Sequence, residues 1–176
     1  MTPITFRPVT PDDIDALAAL HARAWIETYR GLLPDTLIAS RSAEALRLLW
    51  QRIVASPLTR TAWAPGIGFC TMGPQRDAAL AALGATEELY AIYLLADAQG
   101  KGHGRALFAA LDRGLPLSIL VFEGNRRARA FHEGLGARLH AIRDETIDGH
   151  PIREAVYLRP ARPCPLLLWA QIPSGG

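Results

Sequence analysis

Apolar residues recur at helical spacing in the first third of the chain. Ile14, Leu17, Leu20 and Trp25 fall roughly on one face. Thr10, Pro11 and Asp13 precede them: a capping hydroxyl, a proline suited to the first turn, and an acid that completes a capping box. Gly31 stops this helix. Residues 4–7 read as a short strand before it, and a second helical pattern over 34–55, whole or in two pieces, puts Leu46, Leu49, Trp50 and Ile53 on one side. The period then changes. Residues 61–64 and 67–72 read as two strands around Pro65-Gly66, and a loop at Gly73-Pro74-Gln75-Arg76-Asp77 leads to a short helical turn over 77–83. The best strand is 88–95, rich in aromatic and aliphatic residues and bounded by turn signals. A glycine cluster follows. Next come a helix over 105–112 with Leu107, Phe108 and Leu111 buried, a nearly all-apolar strand at 117–122, and a helix over 125–135 with Ala128, Phe131 and Leu135 inward. Gly114 and Gly136 close the two helices. Residues 139–146 and 152–158 form a predicted hairpin around Asp148-Gly149. The order is mixed α/β, one domain over 1–160, followed by a Pro-rich tail over 161–176.

Composition narrows the partners. With 176 residues and 49% apolar content, the chain can bury a sizeable core. A net charge of +2, with arginines dispersed and no long basic block, argues against nucleic acid. No apolar stretch is long enough to span a bilayer, and the first residues carry no apolar signal core. Cys70 and Cys164 are far apart and in no metal-ligand spacing, so the expectation is a reducing, cytoplasmic setting without a metal.

The chemistry sits at Gln99-Gly100-Lys101-Gly102-His103-Gly104, between the strand ending at Leu95 and the helix beyond. A helix start offers free N–H groups and partial positive charge, and glycines let the backbone approach a bulky anion. Strand, glycine turn and helix together make a phosphate cradle, to which Lys101, His103 and Arg105 add charge. The Walker pattern is absent, and the dinucleotide fingerprint fails because Arg105 stands where its last glycine belongs. The turn alone is also compatible with a loop that is glycine-rich only to bend sharply.

This hexapeptide resembles the Q/R-x-x-G-x-G/A signature of the GNAT acetyltransferase superfamily. The segment from Asn125 through Ala128, Phe131 and His132 to Gly136 is similar to that family's N-x-x-A-x-x-F-Y-x-x-x-G stretch. The run Ala24 to Pro34 and the 73–77 loop resemble one bacterial subgroup, and the likeness covers about 4–159. It implies a mixed, mostly antiparallel sheet flanked by helices, with two central strands splayed apart. It implies acetyl-CoA as co-substrate, its pyrophosphate on the backbone from Gln99 to Arg105, its pantetheine arm paired with Ile92 and Leu94, and Asn125 in contact with it. Asn125 is equally a helix cap. The implied reaction is direct attack of a primary amine on the thioester in a ternary complex. Glu88 matches the strand glutamate that often acts as base through water, and Glu87 should face the other way because strand side chains alternate. His132 stands where the family commonly has the tyrosine acid, which is the main departure. Trp25, Tyr29 and Arg30 fall where such proteins line the acceptor pocket, although helical spacing suits Trp25 to the core and Arg30 to the surface.

Two other readings stay open: the same fold holding an acyl-CoA without turnover, and a nucleotide site unrelated to CoA. The acceptor is expected to be a small-molecule or protein amine. The Leu166-Leu167-Leu168-Trp169 patch suggests a homodimer.

Overall fold

The computed structural model describes residues 4–162. The tail patch at 166–169, Cys164, and the homodimer argued from that patch lie outside the described residues. Among those described, seven strands form one sheet in the order β1-β2-β3-β4-β5-β7-β6. They are β1 (Arg7–Pro8), β2 (Arg60–Ala64), β3 (Gly68–Pro74), β4 (Glu87–Leu94), β5 (Leu117–Phe122), β6 (Arg138–Ile147) and β7 (His150–Arg159). Every neighbouring pair is antiparallel except β4 and β5. The helices are α1 (Ile14–Tyr29), α2 (Asp35–Ser40), α3 (Ala43–Ala55), α4 (Ala78–Ala82), α5 (His103–Leu111) and α6 (Arg126–Glu133). No helix among the described residues is long and apolar enough to cross a membrane.

Local chemistry accounts for most boundaries. The Asp13 carboxylate accepts from the Thr10 N–H at 2.9 Å and from its hydroxyl at 2.8 Å, and a 3-10 turn at Pro11–Asp13 feeds into α1. Arg7 grips the same carboxylate with two bonds of 2.6 Å, which ties the first strand to the helix start. The expected strand at 4–7 shrinks to Arg7–Pro8, because only these residues pair with β2. The helical pattern over 34–55 breaks at Arg41, and Ser42 caps α3 through the Ala45 N–H.

One face of the sheet packs under α1 and α3 through Leu17, Leu20, Leu46, Trp50, Trp63 and Phe69. The other face packs under α5 and α6 through Cys70, Met72, Leu89, Leu107, Phe108 and Tyr157. Leu49, expected on the buried side of its helix, is exposed. The Cys70 thiol is buried, which pushes its pKa well up and leaves it inert.

Arg159 is buried on β7, and Asp112, just after α5, meets its guanidinium with two bonds of 2.6 Å. Asp112→Asn replaces one of those acceptors with a donor facing an arginine. Urea unfolding should show a loss of about 2 kcal/mol.

Candidate active site

The parallel pairing of β4 and β5 is short. Glu87, Glu88 and Leu89 face Leu117, Ser118 and Ile119, and pairing stops there. Beyond Leu89 the two strands diverge. β4 also carries a bulge: Thr71 pairs with Ala91 while Met72 pairs with Leu89, leaving Tyr90 extra. The bulge reverses the alternation of side chains. Leu89 and Ile92 both pack toward α5 and α6, while Ala91 and Tyr93 pack toward α1. Gly73 makes room for the displaced ring, since a Cβ there would meet Tyr90 within 2.7 Å. The Tyr90 hydroxyl donates to the Pro74 carbonyl at 2.6 Å, and the Arg76 guanidinium lies 3.9 Å from the ring centre.

A groove of about 650 Å³ opens where the strands part. Its walls include Ile92 and Leu94 of β4, Ile119 and Val121 of β5, and Asn125, Phe131 and His132 from the α6 segment. Gln99, Gly100, Gly102, Gly104 and Arg105 close one end. Gly100 and Gly102 have φ of 77° and 85°, values that L side chains rarely adopt. Gly104 is needed for a different reason: a Cβ there would meet Phe131 at 3.2 Å. Gln99 donates from Nε2 to the Leu94 carbonyl at 2.9 Å, which fixes the turn to the strand end. Inside α5, Ala106 is the first residue to donate back, to Gly102, so the N–H groups of His103, Gly104 and Arg105 have no helical partner. Lys101 and His103 sit on the turn, but their side chains are not part of the groove wall. Asn125 lines the groove and also caps α6, accepting from the Ala128 N–H at 3.0 Å.

A second cavity of about 660 Å³ lies beside the first. Tyr29, Leu89, Tyr90, Ala91, Tyr93 and Leu120 line both. Tyr93 donates to the Tyr29 hydroxyl at 3.4 Å, and burial pushes both hydroxyls up. The far wall carries His21, Trp25, Arg41 and Trp50. The His21 Nδ1 and the indole nitrogens of Trp25 and Trp50 are buried without hydrogen-bond partners. Trp25 thus lines a cavity, whereas Arg30 is exposed and lines neither.

Glu88 stands in this second cavity, not in the groove with the glycine turn. It is buried, and Arg76 occupies both its oxygens: Nε reaches Oε2 at 3.1 Å and Nη2 meets Oε1. Glu87 belongs elsewhere, paired with Arg60 at 2.7 Å. Glu154 of β7 also lines the cavity, which no motif indicated. Arg76 sits in the loop singled out in the sequence, but its grip on Glu88 depends on the fold. His132 is buried, which pushes its pKa down to about 4. At neutral pH it is therefore an uncharged imidazole.

The parallel strand pair parts beside a bulge, with a glycine turn and helix start at its open end, and the fold as a whole is shared with solved GCN5-related N-acetyltransferases. A GCN5-related N-acetyltransferase from Rhodopseudomonas palustris superposes with a TM-score of 0.67 at 15% identity, covering 91% of this chain and 97% of the other. The PaiA N-acetyltransferase of Thermoplasma acidophilum, solved in complex with coenzyme A, gives 0.64 at 20% identity over 88% of this chain and 98% of its own. In sequence, the chain is 32% identical over 108 residues to an uncharacterised N-acetyltransferase of Bacillus subtilis, YuaI. That match takes in 60% of this chain, and the chain spans 61% of the relative's length. No family model matches the sequence.

Proposed function

We propose that this chain transfers an acetyl group from acetyl-CoA to a primary amine. The observation that carries the reading is the pair of cavities meeting at Tyr29 and Tyr93, one of them ended by the glycine turn. The first groove suits an extended thioester with a diphosphate. The free N–H groups at the start of α5 would hold the pyrophosphate, with Arg105 on the groove wall and Lys101 on the turn adding positive charge. Ile92 and Leu94 stand on the unpaired side of β4, where their backbone can take up the amides of the pantetheine arm. Asn125 would keep capping α6 while it lines the groove wall. The second cavity would admit the acceptor, a small molecule or a protein amine.

The reaction forms an amide bond and breaks the thioester C–S bond. A lysine-like amine has a pKa of about 10.4 and must lose a proton before it attacks. A thiol with a pKa of about 8.5 leaves tolerably well as the thiolate. That suits the burial of His132, which supplies no imidazolium near neutrality. The same burial favours a second reading, a module that holds an acyl-CoA without turning it over. A cytoplasmic location agrees with the free thiol of Cys70.

Calorimetric titration with acetyl-CoA, followed by an assay for released CoA thiol over a panel of primary amines, separates these outcomes. Micromolar binding with thiol release is the expected result. Binding without release across the panel would leave the holding module, and a folded protein that does not bind acetyl-CoA would overturn both readings.

A further inference from the structure

The two carboxylates in the acceptor cavity are engaged differently. Arg76 occupies both oxygens of Glu88. Arg143 approaches Glu154 from β6 and places both its bonds on one oxygen: Nε to Oε2 at 3.2 Å and Nη2 to Oε2 at 3.1 Å. Oε1 of Glu154 accepts no hydrogen bond among the described residues. Arg143 is itself held by Asp77 at 2.7 Å and Glu145 at 3.1 Å, so the face of Glu154 that it covers is fixed.

Position supports the same distinction. Glu154 lies opposite Phe122 in the β5–β7 register, and the Phe122 ring meets the Tyr29 ring edge-on at 6.2 Å. Tyr29 borders both cavities, and the Glu154 charge is among those acting on its hydroxyl. Glu154 therefore stands at the acceptor cavity near its junction with the groove.

We propose that Glu154, through its free Oε1, is the base that removes the proton from the acceptor's ammonium group. The inference rests on the acetyl-transfer reading. The ammonium gives one proton to Oε1. The neutral nitrogen attacks the thioester carbonyl, the C–S bond breaks, and the second proton from nitrogen ends on the departing thiolate. Glu154 then returns its proton to water. Burial raises the Glu154 pKa, with Glu145 and Glu88 adding to the rise and Arg143 opposing it, and a carboxyl shifted this way is a better base near pH 7. Arg76, paired with Glu88, and Asp77, paired with Arg143, stand on its side of the cavity, and Arg41, Arg52, His21, Tyr29, Tyr90 and Tyr93 are the other charged or titratable residues that line it. Glu88 is left to anchor Arg76 over Tyr90.

The test uses ethylamine, a minimal primary amine, at saturating acetyl-CoA, with CoA thiol release followed from pH 6 to pH 10. A base gives the wild type a plateau of kcat/KM through the middle of this range. Without a base, the rate follows free amine and rises tenfold per pH unit. Glu154→Gln keeps an oxygen for Arg143 and should lower kcat/KM about 100-fold at pH 7. The gap should close toward pH 10, with acetyl-CoA affinity unchanged by calorimetry. A Glu154→Gln rate within threefold of wild type, or a larger pH-dependent loss in Glu88→Gln, overturns the assignment. If the variant does not fold, the wild-type profile decides: a tenfold rise per pH unit with no plateau also overturns it. Acetyl-CoA binding without thiol release by the wild type is a different failure, because it removes the acetyl-transfer reading and this base with it.

Discussion

Gly102→Glu should lose acetyl-CoA binding by at least about 100-fold, equivalent to about 2.7 kcal/mol. Two effects act at this one position. Gly102 is the cap residue of α5 with φ of 85°, and a side chain there costs about 1–2 kcal/mol of backbone strain. The carboxylate would also sit at the helix start, where the free N–H groups of His103, Gly104 and Arg105 would otherwise meet the pyrophosphate. Gly102→Ala separates the two effects, because it carries the strain without the charge. The alanine variant should lose about tenfold at most, the glutamate variant far more, and both should stay folded by circular dichroism. Wild-type affinity in Gly102→Glu would remove the coenzyme from this turn.

Acid should unfold the chain over an unusually mild range. Burial holds both His21 and His132 down to about 4, with the Arg41 charge adding to the effect on His21. Free histidine titrates near 6.5. The unfolded chain therefore takes up protons first as pH falls. Stability is fully present above about 6.5 and is lost as pH drops toward the folded value of about 4. Each buried imidazole contributes up to 1.36 kcal/mol per pH unit, or about 3 kcal/mol across the window. Two together approach the whole stability of many domains, which is about 5–15 kcal/mol. Glu154, raised by burial, works in the opposite sense over part of this range. Asp13, held low by its bond to Arg7, begins to matter only below about pH 4. Urea unfolding at pH 7.5, 6, 5 and 4.5 should show this decline, and His132→Phe should remove about one proton's worth of the slope. A midpoint that does not move between pH 7.5 and pH 4.5 would refute the account.

The glycine turn was legible in the sequence because each glycine answers a local demand that no other residue meets. Gly100 and Gly102 need positive φ, and Gly104 needs contact with Phe131. The hairpin at Asp148-Gly149 was legible for the same reason, since both residues adopt positive φ. The Tyr90 bulge was not. Alternation along 88–95 describes a regular strand, and an extra residue is visible only once β3 is paired beside it. The grip of Arg76 on Glu88 and the half-free carboxylate of Glu154 depend on strands brought together from distant parts of the chain, so spacing carries no trace of them. Leu49 and Trp25 had the spacing of core residues. The fold puts a cavity beside both, and the helical period does not distinguish a core from a pocket wall.

Among the described residues, three residue pairs join β4 to β5, and they are the strand pairing between a half of the sheet made of β1 to β4 and a half made of β5, β7 and β6. The sheet is thus two plates riveted at one corner. A pantetheine arm lying along the open edge of β4 would act as a splint across the gap, adding backbone contacts where the protein has none of its own. The two plates share one apolar core, so a ligand lying in the gap would add to the contacts that already hold them together.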